Sequence, residues 1–235
     1  LATKPPFGEY ALMRALEARL DEIVAKLRPD ILHAHSPVLN ALPAIRVARR
    51  HGIPIVYEIR AFWEDAAVDH GTTHEGSMRY RFTRGLETRA MCRADHVTTI
   101  CQGLRTDIIE RGISADKVTV IPNAVDVESF TFRRPRDEDL RAKLGLAGST
   151  VIGFLGSYYA YEGLHLLIEA LPDIARTRPD VRVMLVGGGP QEAALKACTR
   201  RLGINDKVLF FGLVPHADIQ RYYGLVDVLA YPRLP

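Results

Sequence analysis

IGFLGSYYAYEG, residues 152–163, runs from an apolar segment to a glycine that opens a second apolar segment. Ile152, Gly153, Phe154 and Leu155 read as a buried strand, and Gly156 ends it. Gly163 then opens LHLLIEAL, whose apolar residues recur at helical spacing. A strand, a glycine turn and a helix start make a common anion cradle, because the free N–H groups and the dipole of the helix point at the ligand. Yet the loop holds no Lys or Arg, and its one charge is Glu162. An acid is favourable in the first turn of a helix, so Glu162 reads partly as a cap of the helix beginning near Gly163. The counter-charge for an anion must then come from elsewhere, with Arg60 and Arg233 as candidates.

The pattern repeats outward from this stretch. Strands are expected over 150–155, 181–186, 207–211 and 226–231, with helices over 163–176, 190–202 and 215–224 between them. The front half alternates in the same way. Helices are expected over 10–27, 41–51, 77–93 and 103–111, and strands over 30–34, 54–59, 95–100 and 117–121. Residues 60–76 read as a long polar loop. Strands alternating with helices argue for parallel sheets with right-handed crossovers. Between the halves, ESFTFRRPRDEDLRAKLGLAGS is charged and lacks a long apolar run, which reads as a crossover between domains. The expected fold class is α/β with two Rossmann-like lobes. Residues 1–128 form a partial front lobe, 129–149 the crossover and 150–235 a partial back lobe. The chain starts at Leu1 and stops soon after the strand-like VDVLAY, and an α/β domain rarely ends on an uncovered strand. The expectation is therefore a fragment of a longer protein.

Composition narrows the function. The chain has 235 residues, 47% apolar and 25% charged, as expected of a globular protein able to bury a sizeable core. No apolar run approaches the roughly 18 residues of a membrane span, and the N-terminus has no apolar core of a secretory signal. Net charge is only +3, and residues 1–130 are balanced in sign. That excess is too mild for a nucleic-acid partner. Cys92, Cys101 and Cys198 are odd in number and share no CxxC spacing, which reads as reduced thiols in a cytoplasmic protein.

Several motifs sit at expected strand ends, where open α/β sheets bind ligands. VGGGPQ carries Gly187, Gly188 and Gly189, which let a ligand approach the backbone closely, and Pro190, which suits the first turn of a helix. It also reads as a plain strand-to-helix turn. It is not a dinucleotide fingerprint, since the position three after Gly189 is Glu192. In HAHS, His33 and His35 leave the same side of a strand and are placed to share a metal. No third ligand follows at a recognisable spacing, so the favoured reading is a polar strand edge facing a cleft. RAFWED supplies Arg60 for a phosphate or carboxylate, Trp63 for stacking on a sugar face, and the acids Glu64 and Asp65. His70 and His74, in the same loop, are candidates for touching an acceptor. His165 and His216 read as helix-surface residues. Arg79, Arg81, Arg84, Arg89 and Arg93 read either as attraction to an anionic lipid surface or phosphorylated acceptor, or as a solvated face paired with Glu87. VIPNAVD reads as a strand followed by an Asn and Asp turn.

Taken together and in order, PDILHAHS, ADHVTTI, VTVIPNAVDVESF, VIGFLGS, EGLHLLIEAL, VRVMLVGGGP, VLFFGLVP and YYGLVDVLAYP resemble the retaining glycosyltransferases of family 4, with the GT-B fold. RAFWED and SYYAYEG are similar to the subgroup associated with exosortase loci and exopolysaccharide synthesis. The resemblance implies a back lobe holding a UDP- or GDP-linked sugar, a front lobe holding a glycan or lipid-linked acceptor, retention at the anomeric carbon, and no metal or other cofactor. It implies a cytoplasmic enzyme with peripheral inner-membrane contact. It would place Gly156, Ser157, Glu162 and Gly163 at the diphosphate and Gly187, Gly188, Gly189 and Pro190 in the donor pocket. Leu213 and Val214 would read the base, and Asn123, counted with the donor-binding residues, and Asp126 would lie in the turn near the domain junction. Arg233 would be a donor-side cation, His35 and Arg60 would face the cleft as catalytic groups, and Trp63, Glu64, His70 and His74 would lie on the acceptor side.

The chain departs from the family pattern at three places. Ser157 and Glu162 stand where members often carry basic residues. The strand that in many members ends in His ends here in Arg60. The acidic E-x7-E motif and the opening glycine loop are absent from the sequence, so the expectation is that this polypeptide alone has little or no transferase activity. A GT-B epimerase and a non-catalytic nucleotide-sugar-binding module are the alternative readings.

Overall fold

The computed structural model describes residues 7–128 and 136–234. The chain divides into two units, 1–125 and 126–235.

In the first unit, helix α1 (Phe7–Leu27) leads into strand β1 (Leu32–His35), helix α2 (Val38–His51) and strand β2 (Ile55–Ile59). Helices α3 (Trp63–Asp69) and α4 (Met78–Arg93) follow, then strand β3 (His96–Thr99), helix α5 (Gln102–Glu110) and strand β4 (Val118–Val120). The four strands are parallel and lie in chain order, β1-β2-β3-β4. Local chemistry sets the boundaries. Gly52 closes α2 in the left-handed conformation at φ 67°, which glycine adopts without steric cost. The Ser77 hydroxyl caps α4 by accepting from the Tyr80 N–H at 3.1 Å. Ile55, Tyr57 and Ile59 of β2 alternate onto one face and pack with Ile45, Met91 and Ile108 in a fully buried core.

Two expectations for this unit fail. Residues 60–76 are not all loop, because Trp63–Asp69 form α3. Seven residues are too few to show a helical period, although Glu64 and Asp65 in the first turn suit the helix dipole. The arginines of α4 are not paired with Glu87, which is buried under that helix. There it accepts from the Tyr57 hydroxyl at 2.5 Å and the Val38 N–H at 2.8 Å.

The second unit contains helix α6 (Glu138–Lys143), strand β5 (Thr150–Ser157), helix α7 (Leu164–Thr177), strand β6 (Val181–Gly188) and helix α8 (Glu192–Arg201). Strand β7 (Val208–Phe210), helix α9 (Ile219–Tyr223) and strand β8 (Val228–Leu229) complete it. The sheet is parallel, in the order β7-β6-β5-β8. β5 and β6 pair along their full length, from Thr150 opposite Val181 to Ser157 opposite Gly188. Both faces of this pair are buried, as parallel sheets require. Phe154, Val183 and Leu185 pack under α7 with Ile168 and Leu171. Val151, Leu155, Met184 and Val186 pack on the other side with Leu146 and Leu225.

The segment expected as a crossover is only in part a linker. Residues 129–135 lie outside the described residues. Past them, α6 and the fully buried Leu146 belong to the second unit's core. Buried Arg141 ties this segment down by donating to the carbonyls of Leu146 and Ser149. Among the described residues no helix is long and apolar enough to cross a membrane.

Candidate functional site

At the carboxyl edge of the second sheet, Gly156 and Ser157 of β5 lie opposite Gly187 and Gly188 of β6. Gly187 has φ +133°, and a Cβ there would stand 1.9 Å from the Gly156 carbonyl oxygen. A Cβ on Gly189 would meet the backbone of Tyr158 at 2.8 Å. Two of the three glycines in VGGGPQ are therefore required by the chain's own backbone. For these two glycines the plain strand-to-helix turn, the second of the two sequence readings, is reason enough. The same closeness builds a tight floor: Tyr158 N–H donates to the Gly188 carbonyl at 3.0 Å, and Gln191 N–H donates to the Tyr158 carbonyl at 3.0 Å. Pro190 lies two residues ahead of α8, outside the first turn it was expected to occupy.

The loop after β5 differs from its expected form. Ala160–Glu162 make a single 3-10 turn, and Gly163 is the N-cap of α7 at φ 68°. Glu162 lies in that turn, before the N-cap, and α7 has no side-chain cap and no acid in its first turn. Glu162 is thus not the helix cap that the sequence suggested. The Gly163 N–H is taken by the Ala160 carbonyl at 3.1 Å and the Leu166 N–H by the Gly163 carbonyl at 2.9 Å, so an anion at this helix start would be left the N–H groups of Leu164 and His165.

Arg233 lies beside this loop. Its guanidinium carbon is 5.0 Å from the centre of the Tyr161 ring, and Leu234 N–H donates to the Tyr161 carbonyl at 2.8 Å. A Cβ on Gly163 would stand 2.3 Å from the Pro232 carbonyl oxygen. The segment around Pro232 is therefore pressed against the loop, and glycine is what permits it. On the other flank, Gly187 N–H donates to the Gly212 carbonyl at 2.8 Å, which sets Leu213 and Val214 next to the glycine turn. Leu213 is 88% exposed. The structure thus brings Gly156, Ser157, Glu162, Gly163, Gly187, Gly188, Gly189, Pro190, Leu213, Val214 and Arg233 to one edge of one sheet.

The first unit carries a second group of the expected residues. Arg60, just past β2, donates from Nη2 to Asn123 Oδ1 at 3.2 Å, and its Nε lies 3.8 Å from Glu58 Oε1. His35 Nδ1 lies 3.4 Å from Glu58 Oε2. Asn123, expected among the donor-binding residues, is thus held by Arg60 within the first unit, while His35 and Arg60 are joined through Glu58, which sequence spacing missed. It lies 23 residues beyond His35 in the chain, and only the strand register places it opposite.

The residues expected on the acceptor side are split. Trp63, Glu64 and His70 line one cavity of about 740 Å³, walled by Val38, Phe82, Leu86 and others; His74 is not part of its lining. His74 Nδ1 lies 3.2 Å from the Glu75 carbonyl oxygen instead. Glu64 is buried and pairs with buried Arg111, Oε1 to Nη1 2.5 Å, and the Arg111 guanidinium stacks 3.4 Å over the Phe62 ring. Glu64 Oε2 has no hydrogen-bond partner among the described residues. Arg111 Nε is likewise without a partner among the described residues.

Comparison with known proteins identifies the family and the fold. Relatives include the 2-deoxystreptamine glucosyltransferase of Streptomyces kanamyceticus, 30% identical over 92% of this chain and 58% of that protein. The D-inositol 3-phosphate glycosyltransferase of Segniliparus rotundus is 28% identical over 87% of this chain and 46% of that protein. The chain spans about half the length of the curated relatives it matches. Among solved structures, Anabaena Alr3699/HepE in complex with UDP has the same fold, with a TM-score of 0.75 and 23% identity over 93% of this chain and 57% of that one. The two parallel four-stranded sheets are those of the GT-B fold. Residues 136–234 match the model of Glycosyl transferases group 1. Residues 2–129 match the model of Glycosyltransferase Family 4, and the chain belongs to that family.

Proposed function

We propose that this chain is part of a retaining glycosyltransferase that moves a sugar from a nucleotide-diphospho-sugar to a glycan or lipid-linked acceptor, in exopolysaccharide or cell-surface glycan synthesis. The observation that carries the donor half is the edge where Gly156 pairs with Gly187, the start of α7 follows, and Arg233 stands beside Tyr161. Backbone N–H groups and a cation are what a departing diphosphate needs, since stabilising developing charge is electrostatic work. Arg233 lies in the same unit as the loop, and in this reading it supplies the counter-charge the loop lacks. Solved complexes of Anabaena Alr3699/HepE hold UDP and UDP-glucose, which favours a uridine donor here.

The acceptor half is assigned to the first unit. His35 and Arg60, joined through Glu58 and steadied by Asn123, are its polar edge, and the cavity lined by Trp63, Glu64 and His70 receives part of the acceptor. The family resemblance favours transfer without a metal. Contact with an anionic membrane surface through the α4 arginines belongs to the same reading.

The test uses the longer parent protein. With UDP-glucose and candidate acceptors, the expected result is a glycosylated product of unchanged anomeric configuration, read by NMR. Transfer that survives both Arg60→Ala and Gly156→Val, with donor affinity unchanged, overturns the site assignment. With UDP-N-acetylglucosamine alone, formation of an isomeric sugar overturns transfer in favour of an epimerase. Donor binding with no turnover on any acceptor leaves a binding module.

A further inference from the structure

His33 and His35 alternate around Ala34 on β1, so both imidazoles leave the same face of the sheet. The register sets Glu58 of β2 opposite His35, and Thr98 of β3 opposite Glu58. His33 Nε2 lies 3.0 Å and His35 Nδ1 3.4 Å from one oxygen, Glu58 Oε2. The two rings stack with centroids 4.7 Å apart. The three ligand atoms all fall within 4.8 Å of one another.

We propose that His33, His35 and Glu58 form a binding site for one divalent transition-metal ion of the zinc class, with a further position open to water or a ligand oxygen. Two imidazole nitrogens and a carboxylate oxygen, each about 2.0–2.2 Å from a tetrahedral ion, stand roughly 3.4 Å from one another. One edge of that triangle, His35 Nδ1 to Glu58 Oε2 at 3.4 Å, already has this length, and the His33 edge at 3.0 Å needs a shift of only a few tenths of an ångström. Imidazole with carboxylate suits zinc, nickel, copper or cobalt better than magnesium or calcium. The side chains of His33 and His35 are about half exposed, 48% and 55%, which leaves a path for the ion and room for its fourth ligand.

Two further observations favour a ligand over a simple contact between histidines and a carboxylate. Glu58 Oε1 is engaged by Arg60 Nε at 3.8 Å, and Arg60 is held in turn by Asn123. The carboxylate is therefore oriented from behind, as metal-binding carboxylates commonly are, and Oε2 is left to the two rings. Thr98, beside Glu58 in the register, is buried, and its Oγ1 has no hydrogen-bond partner among the described residues. All the ligands come from adjacent strands, which hold geometry better than loops. The site lies in the first unit and includes His35, which the proposed function assigns to the acceptor edge; binding of the ion is inferred from the ligand geometry alone, and the ion is given no step in the transfer.

The test is a titration of the untagged chain with Co²⁺ alone, followed by visible absorption. The expected result is one equivalent bound, with ligand-field bands and no thiolate charge-transfer band despite the three free cysteines, and displacement by Zn²⁺. His33→Ala, His35→Asn and Glu58→Gln should each weaken binding by more than the roughly 10–100-fold lost when a group that merely orients a ligand is removed. Circular dichroism checks that each variant stays folded, and the half-exposed His33→Ala is the decisive one if Glu58→Gln does not. Binding that is absent, that shows a thiolate band, or that is unchanged in the His33→Ala/His35→Asn double variant overturns the proposal.

Discussion

Gly187 lies so close to Gly156 that no side chain fits between β6 and β5: a Cβ on Gly187 would stand 1.9 Å from the Gly156 carbonyl oxygen. Its φ of +133° is also one that other residues rarely adopt, at a cost of about 1–3 kcal/mol. Gly187→Ala should therefore destabilise the second unit by on the order of 3 kcal/mol. Gly85, in the middle of α4 with nothing within 4 Å of a Cβ, is the control. Gly85→Ala should stabilise the first unit by about 0.5–1 kcal/mol. The single tryptophan, Trp63, lies in the first unit, so its fluorescence follows that unit while circular dichroism follows both. A Gly187→Ala protein that melts like the wild type would refute the close approach.

Arg111 and Glu64 form the second test, one of energetics rather than space. Both side chains are almost wholly buried, 5% and 0% exposed. Removing one partner of a buried pair leaves an uncompensated charge and costs about 3–5 kcal/mol. Arg111→Met should show that loss by denaturant unfolding read at Trp63. The double variant Arg111→Met/Glu64→Leu should recover most of it, because an apolar pair of similar volume does as well as a buried ion pair. Equal loss in the single and double variants would mean that packing against Phe62, and not charge, is what Arg111 supplies.

The order of elements was legible from alternation alone, since Phe154 to Leu155 and Val183 to Val186 read as buried strands and LHLLIEAL as an amphipathic helix. The glycine edge at 156 and 187 was legible too, but its reason was not. Sequence sees three glycines in a row and cannot see that the Gly156 carbonyl occupies the space. Glu58 was illegible for a different cause: its partners His33 and His35 lie on another strand, and register is a tertiary fact. Glu87 was misread because α4 carries arginines on several sides, so no clean apolar stripe marks the buried face. The short α3 and α6 have too few turns for periodicity to speak. What fixes α6 is the burial of its own Arg141 and of Leu146 just downstream.

Glu87 gives a pH prediction. Burial pushes its carboxyl above the ordinary value of 4.5, against the lowering effect of the hydrogen bonds from Tyr57 and Val38. A carboxyl raised in the folded state binds its proton more tightly there than in the unfolded chain. Its contribution is full below about pH 4.5 and declines as pH rises toward and through the raised value. Glu87→Gln removes that titration and keeps one donor and one acceptor for Tyr57 and Val38. The stability of Glu87→Gln relative to wild type should therefore improve from about pH 4.5 upward and level off above the raised value, as followed by denaturant midpoints at several pH values. The difference between the two proteins cancels the opposite trend of Glu17, whose carboxyl is held down by hydrogen bonds from Arg46 and Arg50 despite partial desolvation. A pH-independent difference would place the Glu87 carboxyl at its ordinary value.

The last prediction concerns the missing counter-charge. Within the second unit, Arg233 is held beside the glycine loop by its stacking on Tyr161 and by the Leu234 N–H bond to the Tyr161 carbonyl. If it supplies the cation for a diphosphate, Arg233→Ala removes a charge-assisted hydrogen bond worth about 1.5–3 kcal/mol, or about tenfold or more in UDP affinity by calorimetry. Arg233→Lys should restore part of that, since lysine keeps the charge but not the planar fork. Gly163→Ala tests the same arrangement from the other side. Its Cβ would stand 2.3 Å from the Pro232 carbonyl oxygen, so it must push the segment bearing Arg233 away from the loop, and it should weaken UDP with Arg233 still present. Glu162 is no helix cap, so Glu162→Lys should strengthen UDP binding by adding a cation where only an acid now stands. If Arg233→Ala binds UDP as wild type does while Gly163→Ala does not, the helix start binds the anion and Arg233 is not its counter-charge.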